Sequence, residues 1–195
     1  MFVIPDDLPI ELTPFTFLVG SWRGSGVVSY LPGEDNEHEF FQTMSFVPHK
    51  NGSLEYLSDV NDAKGSLLGQ ERGYFRISRP ATESDSGPGL LPSDGSQVLT
   101  VREDLELWRN AAGGFDIEAL IVNPNGVAEL YFGQIKGARM DIATDAVMRS
   151  PNAKEYSSAT RLFGLVEGAL LWAWDMSAIG QPLKSHASAR LEKVE

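Results

Sequence analysis

The chain has 195 residues, no cysteine and a formal net charge of −11 at pH 7. Without cysteine, disulfides, zinc–thiolate sites, thiolate haem ligation and thiol nucleophiles are excluded. The negative charge repels phosphate groups, so we expect neither nucleic acid nor an anionic membrane as a partner. The length favours one domain over residues 1–195, and because no targeting or membrane-spanning segment is recognisable, a cytoplasmic protein is expected.

Short segments of alternating hydrophobicity run through most of the chain. A helical turn is predicted within residues 9–18, where it would cover one end of the fold. Ten strands joined mainly by short turns are predicted at residues 20–30, 39–46, 54–60, 70–78, 115–122, 127–135, 139–148, 155–165, 170–176 and from 184 onward. Because closure removes the exposed edges of such a meander, we predict an all-β, ten-stranded, antiparallel up-and-down barrel.

An insertion interrupts this pattern at about residues 80–112. Residues 80–96 are rich in Pro, Gly, Ser and Asp, which is typical of an exposed and poorly ordered loop. Residues 97–108 alternate weakly and are interpreted as the extension of a strand.

The last predicted hairpin contains the candidate ligand residue. Along its first strand, alternation places four apolar side chains on one face: Leu170, Trp172, Trp174 and Met176. If the hairpin is centred on Gln181 without a bulge, Met176 lies opposite His186, Trp174 opposite Ser188 and Trp172 opposite Arg190. His186 would then lie on an apolar wall, either as the ligand of a flat molecule or as a hydrogen-bonded structural residue. For the two indoles, core packing is the favoured interpretation.

The first predicted strand carries Gly20, Trp22, Gly24 and Gly26 on one face. Such glycines mark either a sharp bend or the close approach of another backbone or a ligand, and we favour the bend. Trp22 is interpreted as a plug at the base of the barrel. His38 and His49 are expected in solvent-facing turns, so a three-histidine metal site is not predicted. The common phosphate-binding and hydrolase motifs are absent from the sequence.

Two motifs resemble the nitrobindin family, whose members are related to fatty-acid-binding proteins. Residues 20–26, GSWRGSG, are similar to the family's G-x-W-x-G-x-G signature, and residues 176–186 match its M-x-x-x-G-Q-P-L-x-x-H motif. The runs at 142–150 and 161–168 are similar to actinobacterial members. The resemblance spans essentially the whole chain.

The resemblance implies a haem-binding barrel that holds one haem b per chain. It assigns His186 as the axial ligand of a ferric iron and Met176 as a cavity residue. Further candidate contacts are Leu68, Gly69, Asn123 and Lys154, although a solvated lysine is the simpler interpretation of Lys154. The sixth iron position would be free, so that peroxynitrite could rearrange there to nitrate and nitric oxide could also bind. The resemblance is also compatible with a homodimer.

The chain departs from the family pattern at two haem-facing positions. Gly69 stands where many members carry a histidine in a P-L/M-H-x-E stretch, and Pro32 replaces the threonine of a Y-P-T segment. Two alternatives to an isomerase therefore stay open: a haem or nitric-oxide sensor without significant turnover, and a carrier of a small apolar ligand such as a fatty acid. A carrier would need an inward arginine for the carboxylate, for which the candidates are Arg76, Arg161 and Arg190.

Overall fold

The chain forms a closed barrel of ten antiparallel strands, as the sequence predicts. The computed structural model describes residues 8–30, 36–92, 94 and 99–194. Each strand pairs with its neighbours in sequence, and the first pairs with the last. The strands are β1 (Gly20–Ser29), β2 (Glu37–Pro48), β3 (Leu54–Asn61), β4 (Leu67–Ile77), β5 (Phe115–Asn123), β6 (Val127–Lys136), β7 (Arg139–Arg149), β8 (Tyr156–Val166), β9 (Ala169–Ala178) and β10 (Lys184–Val194).

The predicted N-terminal turn is present and closes one end of the barrel, called the base here. It is a 3-10 helix at Ile10–Phe15, and Leu12, Phe15 and Leu18 around it are fully buried. The indole N–H of Trp22 donates a hydrogen bond of 2.7 Å to the carbonyl of Leu18. Trp22 is therefore the plug that the sequence predicts. The opposite end, where β1 ends and β10 begins, is called the mouth.

The connection between β4 and β5 differs from its prediction. Residues Arg102–Glu106 form a short helix, α1, where the sequence was interpreted as an extended strand. Its charged residues face solvent for the most part, while Leu105 and the preceding Leu99 are buried in the core. One helical turn places the charged side chains toward solvent and the apolar side chain in the core. The prediction of a strand was therefore wrong. Residues 93 and 95–98 lie outside the described part, so the predicted disorder of 80–96 is untested.

None of the helices among the described residues has both the length and the hydropathy needed to cross a membrane.

Two glycines of β1, Gly24 and Gly26, permit a close approach of neighbouring strands; the bend stays a prediction. A Cβ on Gly24 would lie 2.1 Å from the carbonyl oxygen of Arg190 on β10. A Cβ on Gly26 would lie 2.2 Å from the carbonyl oxygen of Ser188 and 2.5 Å from the ring of Phe40. Only glycine fits at both positions, because no space remains for even a methyl group.

We predict that Gly26→Ala destabilises the barrel by about 1–3 kcal/mol, since the added methyl group overlaps backbone and ring atoms. Gly164→Ala is the matched control, because a Cβ there meets only the carbonyl oxygen of Ala138, at 3.9 Å. Urea denaturation of both purified variants measures the difference. Equal midpoints would show that β1 does not need the glycine.

Candidate functional site

A β-bulge in β10 directs His186 into the barrel. Ser185 pairs with Asp175 of β9 and Ala187 pairs with Trp174, so His186 is an extra residue between two ladder pairs. Ala187, Ala189 and Leu191 are buried, and regular alternation from them would point His186 outward. A bulge inserts one extra residue, so that two successive side chains can point to the same face and the pairing beyond them is shifted by one position. As a result, His186 and Ala187 both line the internal cavity.

The bulge also changes the register predicted for this hairpin. Met176 lies opposite Lys184, Trp174 opposite Ala187, and Trp172 opposite Ala189. The prediction assumed a strand without a bulge, and its three pairs were therefore wrong: Met176 with His186, Trp174 with Ser188, and Trp172 with Arg190. Met176 is partly buried against the core, and it is not among the cavity-lining residues of the described chain.

The cavity lies at the mouth and has a volume of about 320 Å³. This volume falls at the lower end of the range for small-molecule sites. The cavity reaches the surface, because Tyr30 and Leu68 line it and are 57% and 41% exposed. Its walls combine aliphatic, aromatic and polar side chains: Val28, Tyr30, Phe40, Gln42, Tyr56, Ser58, Val60, Leu68, Gly69, Gln70, Glu71, Asn123, Asn125, Arg161, Phe163, Trp172, Trp174, His186 and Ala187.

The imidazole of His186 is partly buried, and one of its two ring nitrogens has no hydrogen-bond partner among the described residues. It meets the Trp174 ring edge-on, with centroids 5.1 Å apart, and its Nδ1 atom is buried without a hydrogen bond to any described residue. Burial lowers the pKa of His186 below its usual 6.5; the Ser29 backbone opposes this shift, and Arg161 adds to it. The ring is therefore neutral at pH 7, which is the form that binds a metal.

A buried ionic network occupies the wall beside His186. The guanidinium of Arg161 is 2% exposed and donates two hydrogen bonds to the Glu71 carboxylate, of 2.8 and 2.6 Å. Its Nη2 atom also lies 3.3 Å from Glu129, and its Nε–H donates to the Tyr131 hydroxyl at 2.9 Å. This two-point ion pair fixes the position of the guanidinium.

Three tyrosine hydroxyls complete the network. Tyr56 donates to Glu71 at 2.9 Å, Tyr131 donates to Glu129 at 2.6 Å, and Tyr156 also donates to Glu129. Burial alone would raise the pKa of Glu71, but Arg161 and the Tyr56 hydroxyl outweigh it, so that the pKa is lowered. Glu71 is therefore ionised at neutral pH.

The two indoles on β9 differ in their polar contacts. Trp172 donates to the Gln42 side-chain oxygen at 2.8 Å, and the Gln42 amide donates to the Ser58 hydroxyl at 2.9 Å. The Trp174 N–H is buried without a hydrogen bond to a described residue. The Arg161 guanidinium lies over the face of Trp174, 4.1 Å from the ring centroid. Both indoles thus pack in the core, as predicted, and also form the cavity wall.

Gly69 lies nearly across the barrel from His186. Their strands, β4 and β10, are four steps apart one way around the barrel and six the other way. A Cβ built on Gly69 meets nothing within 4 Å, so the cavity wall is open at this point. Leu68 and Asn123 also line the cavity.

Several candidate residues lie elsewhere. Lys154 is exposed and is not among the described cavity residues, and Pro32 lies outside the described part. Arg76 and Arg190 are largely exposed and pair with Glu118 and Glu192.

The predictions for the other two histidines were only partly correct. His38 lies on β2, not in a turn, and stacks on Tyr30 with centroids 4.0 Å apart. His49 follows β2 and bonds Glu55 at 3.0 Å. Within the described ranges, no three His, Asp or Glu side chains are grouped to hold a metal ion.

The site fits a flat iron-containing group better than a bare metal ion. It offers one neutral imidazole with an unpartnered nitrogen, indole and phenyl walls, and an opening at the barrel end. A single protein ligand is too few for a closed ion site. A porphyrin, by contrast, supplies four ligands of its own and needs one axial side chain.

Comparisons with known proteins agree with this geometry. Residues 11–193 match the family model described as a THAP4-like, heme-binding beta-barrel domain. The chain is 50% identical to a peroxynitrite isomerase of Leifsonia xyli subsp. xyli over 100% of both chains. It is 48% identical to a peroxynitrite isomerase of Clavibacter michiganensis subsp. michiganensis, again over 100% of both. The crystal structure of Rv2717c from M. tuberculosis superposes with a TM-score of 0.71 at 22% identity, covering 96% of this chain and 99% of that one.

We predict that Arg161→Met destabilises the protein by about 3–5 kcal/mol, because it leaves the buried Glu71 and Glu129 carboxylates without their cation. Arg190→Met is the matched control: that side chain is 50% exposed, and loss of its surface ion pair should cost about 0–1 kcal/mol. Guanidinium denaturation of both variants compares them. Equal losses would contradict a stabilising role for the buried pair.

Proposed function

The chain belongs to the THAP4-like, haem-binding β-barrel family, and from this membership we propose that it is a haem enzyme that converts peroxynitrite to nitrate. Haem is its cofactor, and His186 is the proposed axial ligand. The observation that carries the assignment is the bulge, which places a partly buried imidazole on the cavity wall at the mouth, with its Nδ1 atom lacking a hydrogen bond to any described residue. Full-length relatives named peroxynitrite isomerase support the reaction.

The proposed reaction makes few demands on acid–base groups. Peroxynitrite and nitrate have the same atoms and the same charge, so the conversion consumes no proton, electron or second substrate. A ferric haem held by His186 would supply the chemistry that breaks the peroxide bond. The protein then has to hold the fragments together until they recombine.

The cavity walls provide this confinement. Phe40, Phe163 and Trp172 are buried and line the cavity, which keeps water away from the reacting atoms. The open space at Gly69 leaves room for a small ligand on the side facing His186. For the same reason we propose that nitric oxide also binds there.

The carrier alternative lacks its anchor. A fatty acid needs a buried cation for its carboxylate, and Arg161 is the candidate that faces the cavity. Its guanidinium is already paired with Glu71 and lies near Glu129. A third carboxylate would be repelled there. A homodimer and a cytoplasmic location stay predictions.

Hemin should bind the wild-type protein with a Soret band typical of histidine ligation. His186→Ala should weaken hemin binding by more than about 100-fold, since removing a group that merely supports a ligand already costs up to that amount. His49→Ala is the matched control, because His49 lies at the base and bonds Glu55. Absorbance titration measures both. An unchanged spectrum in His186→Ala would remove His186 from the ligand role.

Peroxynitrite decay tests the reaction itself. In stopped-flow measurements, the decay rate should rise in proportion to the concentration of hemin-loaded protein, with nitrate as the main product. Hemin-free protein and His186→Ala mixed with hemin should not accelerate decay. Normal haem loading without acceleration would instead support the sensor alternative.

A further inference from the structure

We propose that Tyr30 is a nitration site, the position at which reactive fragments that leave the cavity modify the protein. The inference rests on the proposed function, because peroxynitrite is the reagent. It assigns a covalent modification to a residue at the mouth that the isomerisation does not require.

The five tyrosines of the chain fall into two groups. Tyr56, Tyr131 and Tyr156 are buried, and each hydroxyl donates a hydrogen bond to a glutamate of the ionic network. Burial raises the pKa of each of these phenols and also limits the access of reactive species in solvent to their hydroxyl groups. Tyr30 and Tyr74 are exposed, with 57% and 49% of their surface accessible.

Position separates the two exposed tyrosines. Tyr30 lines the cavity at the mouth, and its ring stacks on His38 at 4.0 Å with an interplanar angle of 13°. The stack holds the phenol at the exit of the cavity. Tyr74 pairs with Leu120 on the outer side of β4, and its ring lies 6.3 Å from that of His49, toward the base. The two phenols thus have similar exposure but different access to molecules leaving the cavity.

The two cavity indoles are less suitable targets. Trp172 is buried and its N–H bonds Gln42. Trp174 lies 4.1 Å below the positively charged Arg161 guanidinium. A nearby positive charge opposes removal of an electron from that ring. Among the described rings that line the cavity, Tyr30 is exposed, and no cation of a described residue is placed over its face.

The chemical balance is complete with one molecule of peroxynitrous acid. Its O–O bond breaks, and the oxygen-centred fragment takes the phenolic hydrogen atom of Tyr30 to give water. Nitrogen dioxide then forms a carbon–nitrogen bond at the ring carbon next to the phenol carbon, and the ring hydrogen moves to the phenol oxygen. In sum, tyrosine and peroxynitrous acid give 3-nitrotyrosine and water.

Mass spectrometry of peptides tests the assignment. Hemin-loaded and hemin-free protein are treated with the same peroxynitrite dose, and nitration is quantified at Tyr30 and Tyr74. The ratio of Tyr30 to Tyr74 nitration should rise on the order of tenfold with hemin, because the reagent is then split next to Tyr30. Tyr30→Phe should remove most of the nitro absorbance of the loaded protein, whereas Tyr74→Phe should remove little. His186→Ala mixed with hemin should keep the hemin-free ratio.

Peroxynitrite decay measured on the same samples separates this inference from the proposed function. Faster decay with an unchanged ratio overturns the Tyr30 assignment and leaves the isomerase standing. A raised ratio without faster decay supports Tyr30 and overturns the isomerase. An unchanged ratio and unchanged decay overturn both.

Discussion

The site depends on one extra residue in β10. Strict alternation can send either Ala187 or His186 into the barrel, but not both. The bulge between Ser185 and Ala187 removes that restriction locally and leaves Ala189 and Leu191 in register with the core. Closure of the sheet then keeps the bulge in place, because β10 is paired on both sides, with β9 and with β1. A binding residue is thereby added to a barrel whose remaining inward positions still pack.

The buried ion pair shapes the wall on which the imidazole lies. Arg161 faces Trp174 across the β8–β9 ladder, and Trp174 in turn contacts His186. An unpaired guanidinium at this depth would be strongly unfavourable. Glu71 and Glu129 compensate its charge, and three tyrosine hydroxyls occupy remaining carboxylate lone pairs. The network is therefore satisfied internally and holds the indole against the imidazole without needing a bound ligand.

The sequence predicted the strands well because period-two alternation and turn residues are local signals, and the barrel follows from closing ten such strands. It missed the bulge, since an extra residue shows only in pairing with a partner strand. The sequence analysis also missed Glu129, although the pattern carries a signal for it: Glu129 falls between Val127 and Tyr131 at an inward position of β6, where a charge needs a partner. Which partner it has, Arg161, depends on strands distant in sequence.

Charge also bears on how the product leaves. One guanidinium stands beside two carboxylates on the cavity side of the barrel, and Glu71, which lines the cavity, is ionised at neutral pH because its pKa is lowered. The protein as a whole is acidic, with a net charge of −11. Among the described residues that line the cavity, the arginine is Arg161, which is already paired with Glu71. A nitrate ion in the cavity would therefore be repelled by the nearby carboxylate. Because peroxynitrite carries the same charge as nitrate, this wall would not attract the substrate either, and binding of the substrate would be left to the haem that the site would hold.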